Sequence, residues 1–220
     1  MDPETYDITF KNPASFVLAG PSKSGKTTFV LNLLRYMDVL YDVKPAYTIV
    51  YYAKWQPSYD IMVNEGLVDE WRSEQLSKDY LSELACQYSG KGGIQLILDD
   101  LMSDMNAEFA SLFTVGSHHL DINVIYITQN LFQNHDDFRV MKNNANYIVL
   151  FKNPANLKQA QTFFRQFNPQ RAKEIFKIYQ KVTENGYTYI LFDLHQKTPE
   201  SLRIRTKIFP FEICEVFVPV

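Results

Sequence analysis

The sequence has few cysteines, no excess of positive charge and no long hydrophobic run. Cys86 and Cys214 are the only cysteines, and their separation matches no metal-ligand spacing, so a disulfide scaffold and a zinc module are excluded. No apolar run approaches the ~20 residues of a membrane-spanning helix. The polar, acidic residues 1–4 do not resemble a secretory signal. These absences predict a reduced intracellular protein with no membrane span.

The charge balance limits how this chain can contact nucleic acid. It has 22 basic and 25 acidic residues and a net charge of −3. One subunit therefore has no basic bulk with which to coat DNA, and any DNA contact must be local, such as a loop repeated around a ring. Hydrophobic residues make up 46% of the 220 residues, which is ample for a buried core, and the length favours one domain, residues 1–220.

Strand patterns alternate with helix patterns along the chain, which predicts an α/β fold with a mostly parallel sheet flanked by helices. Strands are predicted at 16–19, 47–53, 94–98, 123–127 and 147–151. Helices are predicted at 26–37, 58–65, 77–88, 108–118, 139–146, 156–167 and 169–183. The segments 187–194 and 204–218 look like strands without an intervening helix, so we expect antiparallel strands at the C-terminal sheet edge.

A glycine-rich loop follows the first predicted strand and precedes an amphipathic helix. The pattern Gly-x-x-x-x-Gly-Lys-Thr is that of a phosphate loop, whose backbone N–H groups face the β- and γ-phosphates of a nucleotide. Lysine supplies a point charge to the terminal phosphates, and threonine supplies a hydroxyl to Mg²⁺. The predicted ATP–Mg²⁺ site comprises Gly20, Pro21, Ser22, Lys23, Ser24, Gly25, Lys26, Thr27 and Thr28. Whether Lys23 acts as a second cation or is a solvated lysine stays open.

Two further strands end in polar side chains. The strand 94–98 is followed by Asp99 and Asp100, and ligands of open α/β sheets lie at the carboxyl ends of the strands. Asp99 is predicted to hold Mg²⁺ through its water shell, together with Thr27, and Asp100 to polarise the attacking water. The strand 123–127 is followed by Gln129, whose amide can orient that water or sense the γ-phosphate.

Further segments carry a resemblance to a known family. They are residues 49–60 (IVYYAKWQPSYD), 128–132 (TQNLF), 144–154 (NANYIVLFKNP), 165–169 (RQFNP), 186–187 (GY) and 205–209 (RTKIF). With the phosphate loop, the acidic pair and the polar-tipped strand in that order, they resemble the additional-strand P-loop ATPases. Within these, the chain is similar to the viral genome-packaging ATPases of the FtsK–HerA superfamily, of poxvirus type and especially those of Polinton/Maverick elements and adintovirus-like viruses.

The resemblance implies an ATPase that drives double-stranded DNA into a viral capsid. It implies a homo-oligomeric ring, a pentamer or hexamer, with ATP and Mg²⁺ as cofactors and capsid or portal-vertex proteins as partners. The implied location is inside the host, in the nucleus or a cytoplasmic assembly site, or in the virion. The chain departs from the family in two places. Ala155 and Asn156 stand where relatives often have Arg-Asp, and residues 101–128 contain no Arg or Lys.

The second departure concerns the arginine that a neighbouring subunit commonly supplies to the site in this superfamily. Arg139 is the first candidate for this trans arginine and Arg165 the second. Two other functions stay open. A nucleoside or nucleotide kinase usually brings lid arginines over the phosphates, and residues 73–138 contain none. A non-catalytic, nucleotide-gated assembly factor would need no trans arginine.

Overall fold

A computed structural model describes residues 6–101, 111, 113, 120–132 and 136–219. Its strands form one nine-stranded sheet in the order β3-β2-β4-β5-β1-β6-β7-β8-β9. The first six strands in this order are mutually parallel, and the last three are added antiparallel. The strands are β1 (Ser15–Ala19), β2 (Tyr47–Tyr52), β3 (Glu70–Arg72), β4 (Ile94–Asp99), β5 (Ile122–Thr128), β6 (Tyr147–Phe151), β7 (Tyr189–Asp193), β8 (Ile204–Thr206) and β9 (Glu215–Val216).

Helices lie between most consecutive strands of the described chain. Among the described residues they are α1 (Lys26–Arg35), α2 (Met37–Leu40), α3 (Pro57–Asn64), α4 (Lys78–Tyr88), α5 (Asp136–Asn144), α6 (Leu157–Phe167) and α7 (Ala172–Val182). Local sequence explains two of the starts. Proline occupies the first turn of α3, where its missing N–H costs nothing, and the Ser77 hydroxyl caps α4 by accepting from the Tyr80 N–H at 3.3 Å.

The sheet is covered on both faces. Along β5, Val124 and Tyr126 belong to one apolar cluster, whereas Ile125 and Ile127 belong to the other. The first cluster contains residues of α4, α6 and α7, and the second contains the apolar face of α1. Burial on both faces explains why the central strands are continuous apolar runs. No helix in the described part of the chain is long and apolar enough to cross a bilayer.

The strand register brings four strand ends to one edge of the sheet. Ala19 pairs with Thr128 and Asp99 with Ile127, so β1, β4 and β5 end together. Because β7 runs antiparallel to β6, it begins at this same edge, where Tyr189 pairs with Phe151. The phosphate loop, the acidic pair, Gln129 and the segment before β7 therefore share one edge.

The predicted fold class is confirmed, with an antiparallel C-terminal edge. Three details differ. Strand β3 was missed, because three half-buried residues at a sheet edge show no period-two pattern. The segment 204–218 forms two short strands rather than one long run, because residues 207–214 leave the ladder. The strand expected from residue 187 begins at Tyr189. The helix expected at 108–118 lies almost entirely outside the described residues.

Candidate nucleotide site

The phosphate loop has the backbone shape that the Gly-x-x-x-x-Gly-Lys-Thr pattern predicts. Gly25 has φ of 106° and Lys23 has φ of 60°, so two residues of the loop have positive φ angles. A Cβ added at Gly20 would lie 2.6 Å from Phe151 Cβ, which leaves no space for a side chain there. Glycine is thus required at one position for its backbone conformation and at the other for close approach.

Lys26 fills the centre of the loop. Its Nζ donates to the carbonyl oxygens of Gly20 at 2.6 Å and Pro21 at 2.8 Å, and the residue is only 8% exposed. Burial lowers the pKa of Lys26, and the charges of Asp99 and Asp100 counteract that change. The ammonium is therefore held inside the loop and within the electrostatic field of both carboxylates.

The remaining loop side chains lie at the surface or just beneath it. The buried Ser24 hydroxyl has no hydrogen-bond partner among the described residues, which is costly unless an acceptor or donor arrives. Ser22 and Thr28 are exposed, whereas Thr27 is half-buried in the first turn of α1. A phosphate chain fits this surface, because it supplies the acceptor oxygens that Ser24, the Lys26 ammonium and the helix N-terminus can bind.

Asp99 is the buried member of the acidic pair. It is 4% exposed at the end of β4, and its Oδ2 accepts from the Tyr59 hydroxyl at 2.6 Å and from Gln56 Nε2 at 3.3 Å. Burial raises the pKa of Asp99, and the bond from Tyr59 opposes the rise. The carboxylate of Asp99 and the hydroxyl of Thr27 are hard oxygen ligands of the type Mg²⁺ prefers.

Asp100 differs from its neighbour in exposure and backbone. It lies on the surface with φ of 57°, so the chain turns sharply as β4 ends. Its Oδ1 accepts a hydrogen bond of 3.4 Å from Nε2 of the exposed Gln129, which follows β5. The structure thus brings together the carboxylate and the amide that were predicted to position water.

The two candidate arginines are both exposed and lie on different helices. Arg139 is on α5, and Arg165 is in the last turn of α6. A trans arginine acts on the site of a neighbouring copy, so the distance to the loop of the same chain does not test either candidate.

Tyr59 and Gln56 were not predicted as site residues. Tyr59 stands within the segment 49–60 that carries the family resemblance, but it was given no role in the site. In the structure it is 2% exposed, and its hydroxyl bonds to Asp99. The position of Tyr59, two residues after the Pro57 that starts α3, could indicate that it is buried. No local pattern identifies Asp99 as its hydrogen-bond partner. Trp55 is partly exposed, and its indole N–H donates to Asp60 at 2.9 Å.

A large cavity lies elsewhere, at the opposite edge of the sheet. It has a volume of ≈ 610 Å³, and Asp193 and His195 are among its lining residues, but none of the predicted site residues is. At the phosphate loop, backbone N–H groups would bind the ligand.

Strand order defines the class of this fold. Strand β5 lies between the loop-bearing β1 and the acidic β4, which is the additional strand that gives the additional-strand P-loop proteins their name. The chain therefore has the P-loop nucleoside triphosphatase fold in its additional-strand form.

Comparisons with known proteins give only distant structural similarities. No protein-family model and no curated protein matches the chain. Among solved structures, it is similar to ATPases 2 and 3 of EssC from Geobacillus thermodenitrificans, with 14% identity and a TM-score of 0.48. The matched region covers 66% of this chain and 33% of the EssC chain, so this chain corresponds to only part of the length of EssC. A KaiC-like protein from Pyrococcus horikoshii matches with 11% identity and a TM-score of 0.48, over 95% of this chain and 92% of that one.

Proposed function

We propose that this protein is a Mg²⁺-dependent ATPase. One observation carries the proposal: the sheet order sets Lys26, Asp99, Asp100 and Gln129 at one edge, with Lys26 in the field of both carboxylates and Gln129 bonded to Asp100. A cation for phosphate, a buried ligand for the metal and an exposed base with an orienting amide are the parts needed for in-line attack of water on a γ-phosphate.

Each residue has a definite task in this reaction. Lys26 Nζ would exchange the carbonyl oxygens of Gly20 and Pro21 for terminal phosphate oxygens. Thr27 and Asp99 would hold Mg²⁺, which neutralises charge on the phosphates when bound. Asp100 would accept a proton from the attacking water, and Gln129 would hold that water in line.

We further propose that hydrolysis drives double-stranded DNA into a viral capsid. This proposal is supported by the sequence segments that resemble those of viral packaging ATPases. The net charge of −3 fits a ring, a pentamer or hexamer, in which repeated local contacts make up the DNA-binding channel. Arg139, or else Arg165, would complete the site of the adjacent subunit, and capsid or portal-vertex proteins would anchor the ring.

The first experiment measures phosphate release from ATP with and without linear duplex DNA. We expect Mg²⁺-dependent turnover that DNA stimulates and that the Lys26→Ala variant lacks. No turnover under any condition would contradict the ATPase, and turnover that DNA does not change would contradict the motor. Phosphoryl transfer to an added nucleoside would instead identify a kinase.

The second experiment measures the mass of the protein in solution with and without ATP. A ring that forms on ATP, and whose turnover falls in Arg139→Ala but not in a control such as Arg171→Ala, would support the trans arginine.

Because residues 101–128 contain no Arg or Lys, a nucleotide-gated assembly factor is the second candidate function. Ring formation on ATP without phosphate release would favour it.

A further inference from the structure

The two sides of the phosphate loop have different chemistry. On the β5/β4 side are Asp99, Asp100 and Gln129, the groups that act on the γ-phosphate in the proposed function. On the other side are the end of β6 and the start of β7. A nucleotide whose γ-phosphate faces the carboxylates must direct its nucleoside away from them, so the base leaves the loop toward β6 and β7.

Tyr187 lies at this position. It precedes β7, and its backbone packs against the loop: a Cβ added at Gly25 would lie 3.5 Å from the Tyr187 carbonyl oxygen and 3.7 Å from its Cα. Its side chain is 77% exposed, although the neighbouring Phe151 and Tyr189 are buried. Tyr187 thus exposes a large aromatic ring to solvent while its backbone lies against the phosphate loop.

The backbone of Tyr187 is strained. Its φ is 67°, a left-handed conformation that is unfavourable for a bulky residue, although Gly186 next to it would adopt it without cost. Among the described residues, five non-glycine residues have positive φ, and three of them, Lys23, Asp100 and Tyr187, surround this site. Strain of this kind clusters where side chains are held for a function.

The segment that carries Tyr187 is held at both ends. Before it, Lys152 Nζ donates to the Glu184 carbonyl oxygen at 2.8 Å, which ties the segment to the end of β6. After it, the Thr188 hydroxyl donates to the Asn185 carbonyl oxygen at 2.7 Å and closes the turn. The exposed ring is therefore presented by a braced turn.

We propose that Tyr187 is the stacking platform for the base of the bound nucleoside triphosphate. This inference rests on the proposed nucleotide site and names its nucleoside half. Aromatic side chains stack on bases through their π-faces and contribute affinity without acting on the phosphates. Tyr187 is then a binding residue that leaves the chemistry at Asp100 unchanged.

The test compares two ligands on the full chain by calorimetry with Mg²⁺: ATP, which has a base, and inorganic tripolyphosphate, which has none. Tyr187→Asn removes the ring but keeps a residue that tolerates positive φ. We expect it to bind ATP at least about ten-fold more weakly, from the usual contribution of a stacked base, and to bind tripolyphosphate as the wild type does. Tyr187→Phe, which keeps the ring, should stay within about two-fold for both ligands.

A matched control is Tyr6→Ala, which removes an exposed tyrosine from the opposite edge of the sheet and should change neither affinity. Unchanged ATP affinity in Tyr187→Asn would overturn the proposal. Equal loss of ATP and tripolyphosphate would overturn it too, because the residue would then act on the loop and not on the base. Failure of the ATPase proposal is separate: a wild type that binds ATP without hydrolysing it refutes the activity, while the binding ratios still decide the role of Tyr187.

Discussion

The two sides of the phosphate loop are built in opposite ways. The acidic side carries Asp99 and Asp100, and the side on which we propose that the base binds, here the nucleoside side, carries Tyr187. On the acidic side, Asp99 is buried and receives hydrogen bonds from two side chains, Tyr59 and Gln56. On the nucleoside side, Tyr187 is exposed, and backbone carbonyls of its own segment accept the bonds that brace it. A group that must hold a charge in one place needs side-chain partners, whereas a stacking surface needs only a fixed backbone. We therefore expect the first side to control the reaction and the second to control affinity.

Lys26→Ala should have the largest combined effect on rate and affinity, because this residue serves both sides. Removal of a preorganised charge from a developing anion typically costs ~10²- to ~10³-fold in rate, and affinity for the phosphates should fall as well. Steady-state ATPase assays and ATP calorimetry measure the two losses. Lys23→Ala, at the exposed lysine of the same loop, is the control: a loss as large as that of Lys26→Ala would mean that Lys23 is the second cation.

Asp100→Asn should separate the two sides. The amide cannot accept the proton of the attacking water, so kcat should fall by ~10²- to ~10⁴-fold, the usual contribution of a general base. The affinity for ATP should stay within a few-fold. The matched control is Asp121→Asn, at another aspartate with positive φ but at the opposite edge of the sheet. An equal loss of affinity and kcat in Asp100→Asn would contradict the division between the sides.

Tyr59→Phe should weaken Mg²⁺ binding by about ten-fold, because a hydrogen bond to a charged group contributes ~1.5 kcal/mol or more. Mg²⁺ titrations in the presence of ATP measure the change. Tyr41→Phe is a control of the same chemistry, since it removes a buried hydroxyl that bonds to Gln95 at 2.9 Å in another part of the fold. Both variants should lose stability, but only Tyr59→Phe should lose Mg²⁺ affinity. Equal Mg²⁺ affinity in the two variants would assign Tyr59 to packing alone.

The smallest effect is a pH dependence. Burial raises the pKa of Asp99 above the ordinary 3.8 of aspartate, so as pH falls its carboxylate is protonated earlier than an exposed one. As pH falls, Mg²⁺ affinity should therefore decline at a higher pH than it would with an exposed aspartate as the ligand. Since the hydrogen bond from Tyr59 lowers this pKa, Tyr59→Phe should move the decline to higher pH.

Asp99→Asn is the reference for that titration, because the phosphates of ATP also bind protons as pH falls. The acid decline that remains in this variant belongs to the nucleotide, and the difference from the wild type belongs to Asp99. Identical profiles for the wild type and Asp99→Asn would refute the pH prediction.

Much of the fold could be predicted from the sequence, because its signals are local. The apolar runs of β1, β4 and β5 and the helix after Gly25 identify themselves within about ten residues. Strand β3 could not, since Glu70–Arg72 is a strand only through its pairing with β2. The same holds at the site, where Lys26 and Asp99 follow from motifs, but the bond from Tyr59 depends on how α3 packs over the end of β4.

The phosphate loop, the acidic pair and the polar-tipped strand could be identified from the sequence alone, because each is a short run of residues whose chemistry does not depend on distant partners. The folded structure fixes how these parts are arranged. It inserts β5 between β1 and β4, buries Asp99 against Tyr59 and sets Tyr187 beside Gly25. The reason is physical: these contacts join residues that are far apart in the chain, and strand order and register, not local preference, bring them together.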